Sequence, residues 1–268
     1  MMAAGPFEHV MDTRHWHFLE SLGVKLHLPF NLTKFMVLEL IVVGLMAAIF
    51  IPLARKAKTG EPVRGRFWNA VESLLTFIRD QVAKPSIGEH DADRFVPFLW
   101  MMFVFILFCN LLGLIPYMGS PTASISVTGG LALCSFVVIH GSAVAKMGFV
   151  HYLKSYVPPL GKLPYGMGYV LIPMIVFIEA LGNVIKAIIL AVRLFANMFA
   201  GHTVLAVILL FIIMAKHAAW YLFWPITFAS VLGVATLSLL ELLVGFIQAY
   251  VFVFLTAIFL GLTLHPHH

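Results

Sequence analysis

The stretch AVRLFANMFAGH, residues 191–202, places one arginine in the middle of an apolar segment that runs from Tyr169 to Ala215. An arginine at bilayer depth costs roughly 2.5–3.5 kcal/mol on membrane-insertion scales, so a chain seldom keeps one there without a use for it. About ten or more mostly apolar residues flank Arg193 on each side, which places it poorly for reaching the lipid headgroups. The stretch therefore predicts a membrane-spanning helix that carries a functional charge.

The composition of the whole chain also indicates a membrane protein. Of its 268 residues, 61% are hydrophobic and 11% are charged, which is more apolar surface than a soluble domain of this length buries. The net charge of +5 does not indicate a nucleic-acid-binding face, because the basic residues cluster in one connecting segment. Cys109 and Cys134 lie in separate apolar segments without a C-x-x-C pattern, and we predict no metal and no cofactor.

Apolar segments long enough to cross a bilayer cover residues 32–54, 95–115, 124–145, 169–215 and 218–264. The last two hold about 45 residues each, or roughly 65–70 Å of helix, which is about double the hydrocarbon thickness. We therefore expect an all-α polytopic membrane protein with about five crossings. Its last two helices should be long and strongly tilted, and should pack as a hairpin within 169–264.

The remaining segments are polar or amphipathic. Residues 64–84 show apolar side chains at helical spacing with charged residues between them, as in a helix that lies on the membrane surface. Residues 1–31 lack the pattern of a cleaved signal and are predicted to be a polar tail, followed by one helical membrane domain, 32–268. Residues 146–168 contain prolines and lysines and are predicted to be a connector.

The distribution of lysine and arginine predicts the orientation. Residues 55–94 and 146–168 hold eleven basic residues, against four in the segments assigned to the other side, and basic connections face the cytoplasm. We expect the N-terminus outside and the C-terminus in the cytoplasm. The long basic connection and the outer tail favour a bacterial inner (plasma) membrane.

A stripe of polar side chains follows the helix that contains Arg193. At 100° per residue, the stripe falls within about 40° of one line and consists of Glu179, Asn183, Lys186, Arg193 and Asn197. Such a stripe faces protein or water rather than lipid.

His202 lies about 180° around the same helix from Arg193, so it points inward when the arginine points outward. The last helix carries a second stripe, made of Thr227, Ser230, Ser238, Glu241 and Gln248. Antiparallel packing would place Glu241 near the depth of His202 and Gln248 nearer Arg193. A buried His–Glu pair can exchange protons near neutral pH. Alternatively, each residue is a packed polar group that is hydrogen-bonded to a neighbouring helix.

Three motifs resemble subunit a of the F-type ATP synthase membrane sector. They are RLFANMFAG at 193–201, FCNLLGLIP at 108–116 and PTAS at 121–124, and the resemblance extends from Asn31 to Leu264. It implies that Arg193 is the family's essential arginine.

The same resemblance implies that Asn197 and Gln248 are the family's channel-lining asparagine and glutamine. The best-known bacterial forms carry an acid after the glycine and a histidine on the last helix. Here His202 and Glu241 exchange these positions, as in the mitochondrial type.

The resemblance also implies a function, which is that of a proton-conducting stator without a catalytic site of its own. Protons would enter past His202, Glu241, Asn197 and Gln248, ride on a rotating ring of c subunits, and leave past Glu179. Arg193 would be the gate between these two offset half-channels, and the flow would be coupled to ATP synthesis elsewhere in the complex. The implied partners are the c-subunit ring, the b-subunit peripheral stalk, the remainder of the synthase and the lipid bilayer.

The alternative is a stand-alone ion or anion transporter in which Arg193 binds the substrate. Such a protein would be expected to carry inverted repeats with broken helices at matching positions, and the sequence indicates neither. An intramembrane enzyme is disfavoured because no nucleophile–base pair is evident.

Single cysteines test the predicted orientation. In Gly60→Cys and Ser155→Cys the thiol should react with a membrane-impermeant reagent only from the cytoplasmic side, and in Asp12→Cys only from outside. The chain without an added cysteine is the control. Reaction of residues 12 and 60 from the same side would rule out the five-crossing topology.

Overall fold

The computed structural model describes residues 33–59, 65–115, 119–156, 168–215 and 220–265. In chain order the helices are α1 (Lys34–Thr59), α2 (Arg66–Phe77), α3 (Lys84–Ile87), α4 (Glu89–Gly113), α5 (Ile125–Met147), α6 (Phe149–Ser155), α7 (Gly168–Ala215) and α8 (Trp220–Leu264). A π-helical segment, Ile78–Ala83, joins α2 to α3, and a 3-10 turn, Pro121–Ala123, precedes α5. The described ranges contain no strand.

Five helices are long and apolar enough to cross a membrane, which confirms the predicted all-α polytopic class. Their spanning parts are Lys34–Arg55, Glu89–Gly113, Ile125–Met147, Leu171–Ala215 and Phe223–Leu264. The two long helices are continuous over 48 and 45 residues. Their tilt stays a prediction, and the predicted hairpin turn falls on residues outside the described ranges.

Three boundaries differ from the sequence-based expectation. The second span begins at Glu89 instead of residue 95, because acidic residues in the first turn of α4 favour the positive end of the helix dipole. The amphipathic segment predicted at 64–84 is not one regular helix, since Ile78–Ala83 is π-helical. The predicted connector contains α6, and its residues 157–167 lie outside the described part of the chain.

The chain forms two compact units. Unit one takes its described residues from Met1–Gly65, Phe103–Thr128 and Arg193–Tyr250. Its buried side chains come from α1, α4, α7 and α8 and include Phe35, Leu38, Val42, Phe103, Ile106, Leu194, Met198 and Ala249. Phe103 packs edge-on against Phe246 with 5.8 Å between the ring centroids.

Unit two takes its described residues from Arg66–Met102, Gly129–Val192 and Val251–His268. The Trp100 indole donates a hydrogen bond to the Leu75 carbonyl at 2.8 Å, which ties α2 to α4. Arg79 makes a bidentate contact with Asp93 at 2.8 and 3.0 Å. These carboxylate contacts are exposed and so contribute little stability, whereas the buried apolar side chains Ile78, Val82, Ala83 and Ile87 form the core under them.

Glycines occupy two corners of unit two where the backbone takes positive φ. Gly88 has φ 98° between α3 and α4, and Gly148 has φ 79° between α5 and α6. Side chains with a Cβ rarely adopt these angles. The two corners therefore allow short, sharp connections between successive helices.

Gly261 of α8 provides a test of packing in unit two. A Cβ at this position would lie 1.8 Å from the Ser86 carbonyl oxygen, so Gly261→Ala must push the α8 backbone away from that carbonyl. We expect a loss of roughly 1–3 kcal/mol in the free energy of unfolding, the usual range for overpacking. The measurement is the thermal unfolding midpoint of the detergent-solubilised protein.

Gly141→Ala is the matched control. Gly141 also lies within a helix, but nothing lies within 4 Å of the Cβ it would gain. The substitution should leave the midpoint unchanged or raise it, because alanine is the better helix former. Equal effects of the two substitutions would mean that α8 does not approach Ser86 so closely.

Candidate functional site

Two polar contacts join α7 to α8 within unit one. The Asn197 amide donates a hydrogen bond to Gln248 Oε1 at 2.9 Å, and His202 Nδ1 lies 3.3 Å from Glu241 Oε1. As the chain advances along α7 from 197 to 202, its partners recede along α8 from 248 to 241, so these segments are antiparallel. The structure therefore brings together four of the predicted site residues. His202 meets Glu241 as the sequence indicated, whereas Gln248, expected near Arg193, is paired with Asn197.

The His202–Glu241 pair is buried. The two side chains are 10% and 5% exposed, and their nearest atoms are within ion-pairing distance but not in hydrogen-bond geometry. Among the described residues, His202 Nε2 and both Glu241 oxygens have no hydrogen-bond partner. Buried polar atoms are nearly always hydrogen-bonded, and an exception calls for an explanation such as a functional role. An imidazole and a carboxyl group side by side are chemically able to take up, share and release a proton.

Close backbone approach brings these side chains together. A Cβ at Gly201 would lie 2.9 Å from Glu241 Oε1, so the carboxyl group sits directly against the α7 backbone. A Cβ at Gly113 would lie 3.0 Å from His202 Nε2 and 2.5 Å from Ser120 Cβ. Any larger residue at 113 or 201 would displace a member of the pair or its surroundings.

A buried hydrogen-bond network in unit one was not predicted as part of the site. Asn110 donates to the Gly245 carbonyl at 2.9 Å and accepts from the Thr122 hydroxyl at 2.7 Å. Ser120 Oγ lies 2.6 Å from Thr122 Oγ1. The sequence offered two signals for it: the lone asparagine in the uncharged apolar run of α4, and the motifs FCNLLGLIP and PTAS, which contain Asn110 and Thr122.

The network affects the site because one of its hydrogen bonds is made to α8. Gly245, whose carbonyl Asn110 binds, lies between Glu241 and Gln248 on that helix. Asn110 therefore fixes α8 at the level where both polar pairs form. Because Asn110 is 2% exposed, its amide has little access to water and depends on these partners.

Arg193 has a different environment from the two pairs. Its side chain is exposed, whereas Leu194 and Met198 beside it are buried. No hydrogen bond or ion pair joins it to any residue in the described ranges. The predicted rotation of α7 is confirmed, since His202 points inward and Arg193 points outward.

Glu179 lies in unit two and lines a cavity of about 490 Å³. The same cavity is lined by Asn183 and Lys186, which the sequence placed on the stripe of Glu179. Lys186 donates to Asn183 Oδ1 at 3.1 Å. Both charged side chains are exposed, so the cavity has a polar, charged wall.

A connected set of aromatic side chains that was not predicted as part of the site also lines this cavity. Tyr156 accepts a hydrogen bond from Asn183 at 3.2 Å and is bonded to the Tyr152 hydroxyl, which contacts His140 Nδ1. Burial raises the pKa of Tyr152 and of Tyr156 above the usual tyrosine range, so both phenols keep their protons at physiological pH. Tyr152 and Tyr156 were missed because they lie in the predicted connector.

The sequence is similar to known proteins along most of its length. A family model described as "ATP synthase A chain" matches residues 36–261. A curated relative from Myxococcus xanthus (strain DK1622), "ATP synthase subunit a", is 39% identical over 224 residues, which cover 84% of this chain and 69% of the relative.

Two further relatives with the same description cover more of this chain. The relative from Chloroherpeton thalassium is 36% identical over 274 residues, or 97% of this chain and 77% of its own length. The relative from Anaeromyxobacter dehalogenans (strain 2CP-C) is 38% identical over 255 residues, or 94% of this chain. The chain spans 64% of the length of that relative and 50% of another Anaeromyxobacter relative.

The His202–Glu241 contact predicts coupled effects on stability. His202→Ala and Glu241→Ala should each lower the free energy of unfolding, because each leaves the other side chain buried without its partner. The effects should deviate from additivity by about 0.5–3 kcal/mol, the range for residues in contact. The measurement is a double-mutant cycle on the detergent-solubilised protein.

A variant in which the two residues exchange positions extends this double-mutant cycle. His202→Glu combined with Glu241→His keeps one imidazole and one carboxyl group at the contact, so it should be more stable than either exchange alone. Additive losses in the alanine cycle, with no recovery in the double exchange, would show that the side chains do not interact.

Proposed function

Because the chain belongs to the family of the ATP synthase A chain, we propose that it is a proton-translocating stator subunit of an F-type ATP synthase membrane sector. It provides two offset half-channels to and from a rotating ring of c subunits. The observation that carries this proposal is a contrast along α7. His202 and Asn197 are paired with side chains of α8, whereas Arg193 is exposed and has no counter-charge among the described residues.

The first half-channel runs from the outside to the ring. Its proton-exchanging groups are His202 and Glu241, which are buried together and lie on facing helices. The next polar pair is Asn197 with Gln248, and Asn197 lies about 7.5 Å from His202 along α7. Their amides do not titrate, but their donors and acceptors can hold a proton-carrying water or the ring carboxyl group in place.

The second half-channel carries protons from the ring to the cytoplasm past Glu179. This assignment is supported by the cavity of about 490 Å³ that Glu179 lines. It is also supported by the polar stripe of α7, where Asn183 and Lys186 continue the wall of the cavity. A carboxylate in such a wall can accept a proton from the ring and release it to water.

Arg193 is the gate between the half-channels. A guanidinium group stays protonated at every physiological pH, whereas a lysine ammonium can lose its proton in an apolar setting. Opposite charges 4 Å apart attract by about 4 kcal/mol at an effective dielectric constant of 20. Arg193 therefore holds a passing ring carboxyl group in its ionised form, and the same positive charge repels protons that would cross directly.

The proposed partners, membrane and orientation follow from this role as a stator subunit. The partners are the c-subunit ring, the b-subunit peripheral stalk and the remainder of the synthase, and ATP is made elsewhere in that complex. The chain lies in a bacterial inner membrane with its N-terminus outside and its C-terminus in the cytoplasm. The similarity to proteins named ATP synthase subunit a favours this role over a stand-alone anion transporter.

Arg193 substitutions test the gate. Arg193→Lys and Arg193→Ala should each abolish proton-driven ATP synthesis while the complex still assembles. Arg193→Ala should also open a passive leak, because a protonated ring carboxyl group can then pass the subunit. The measurement is proton flux through the membrane sector, stripped of its catalytic head, in vesicles under an imposed potential.

Val204→Ala is the matched control. Val204 lies about 20° from Arg193 around the α7 axis and is 47% exposed, but it carries no charge. It should retain ATP synthesis and a proton-tight membrane sector. If the Arg193→Ala membrane sector conducts no more protons than the Val204→Ala sector, or still drives ATP synthesis, Arg193 has only a structural role.

A further inference from the structure

Glu179 and Lys186 line the same cavity in unit two without forming an ion pair. They are seven residues apart on α7, so they share a helix face and lie about 10.5 Å apart along the axis. A lysine side chain is long and flexible enough to shorten that gap considerably. Within the described ranges, no contact of 4.0 Å or less joins their charged groups, and other side chains bind the Lys186 ammonium instead.

Two contacts restrain Lys186. Its ammonium donates to Asn183 Oδ1 at 3.1 Å, and it lies 5.6 Å from the centroid of the Phe259 ring. The second contact is a favourable placement of a cation over an aromatic face. Asn183 lies between the two charged residues in sequence, and its side-chain oxygen holds the lysine short of Glu179.

The orientation of the Asn183 amide depends on Tyr156. An asparagine presents an NH₂ group on one side and an oxygen on the other, and only the oxygen can accept from an ammonium. The Asn183 NH₂ group donates to the Tyr156 hydroxyl at 3.2 Å, which turns the oxygen toward Lys186. A phenol oxygen carries lone pairs that can accept this bond while the hydroxyl also contacts Tyr152.

Tyr156 is itself held in place by α6 and α5. Its hydroxyl is bonded to that of Tyr152, and Tyr152 is 8% exposed and contacts His140. One continuous set of side-chain contacts therefore runs from α5 through α6 to the charged face of α7.

We propose that Tyr156 is a positioning residue for the exit half-channel: its hydroxyl orients Asn183, which holds Lys186 away from Glu179 and leaves that carboxylate able to accept protons. The inference rests on the proposed function, in which Glu179 receives protons from the ring. A direct Glu179–Lys186 ion pair would occupy the carboxylate oxygens and slow each transfer. The tether keeps a positive charge in the cavity and prevents that pairing.

Tyr156→Phe is the first test, because it removes the hydroxyl and keeps the ring. The assembled complex, stripped of its catalytic head, is placed in vesicles and its proton flux is measured under an imposed potential. We expect a roughly three- to tenfold fall in flux, the factor that corresponds to one net hydrogen bond. Tyr221→Phe, at an exposed position in the first turn of α8, should leave the flux unchanged.

Asn183→Asp separates positioning from packing. A carboxylate has two equivalent oxygens, so it can bind Lys186 without being oriented by Tyr156. In the Asn183→Asp background, adding Tyr156→Phe should therefore cause no further loss of flux. An equal loss in both backgrounds would show that the tyrosine acts only through packing and would overturn the inference.

Glu179→Gln distinguishes this inference from the proposed exit route. If Glu179→Gln slows the flux and Tyr156→Phe does not, the inference fails while the exit route stands. If Glu179→Gln leaves the flux unchanged, the route past Glu179 fails and the inference fails with it.

A second variant is available if Tyr156→Phe prevents assembly. Tyr152→Phe keeps the Tyr156 hydroxyl but removes the hydrogen bond that holds it in place. An unchanged flux in that variant would also overturn the inference.

Discussion

A charged side chain inside a membrane must either meet a partner within its own chain or be presented to another molecule, because hydrocarbon offers it no solvation. Helix α7 does both on opposite faces. His202 points inward to Glu241, whereas Arg193 is exposed while Leu194 and Met198 beside it are buried. The two side chains thus lie on opposite faces of one helix, and in the proposed function the outward charge of Arg193 meets the carboxyl groups of the c-subunit ring.

The contacts on the inward face of α7 form only because neighbouring helices approach α7 closely. Gly201 lets the Glu241 carboxyl group touch the α7 backbone, and Gly113 leaves room for His202 and Ser120. Asn110 then binds the Gly245 carbonyl and so fixes α8 at the height of both polar pairs. Since the Asn110 amide is buried with both ends hydrogen-bonded, sliding of α8 would break these bonds without water to replace them.

The charged side chains of unit two are arranged differently. At its exposed edge, carboxylates pair directly with cations, as in Lys146–Asp91 at 2.6 Å. Within its cavity, Glu179 and Lys186 stay apart, and Lys186 is bound instead to Asn183. Direct pairing suits a structural contact, whereas a separated carboxylate suits a group that must exchange protons. In the proposed function, this separation leaves Glu179 able to exchange protons, whereas the directly paired carboxylates stabilise the fold.

The sequence by itself determined the five spanning helices, because a backbone in hydrocarbon must satisfy its own hydrogen bonds and a run of apolar residues marks where that happens. Helical rotation also placed His202 opposite Arg193, and antiparallel packing placed Glu241 near His202 and Gln248 near Arg193, whereas the pairing of Gln248 with Asn197 came from the structure. Only the tertiary structure decided that Asn110 binds Thr122 and Gly245, and that Tyr156, at the end of α6, accepts a hydrogen bond from Asn183. Those contacts depend on which helices become neighbours and how closely they approach, and hydropathy and periodicity within one segment carry no information about either.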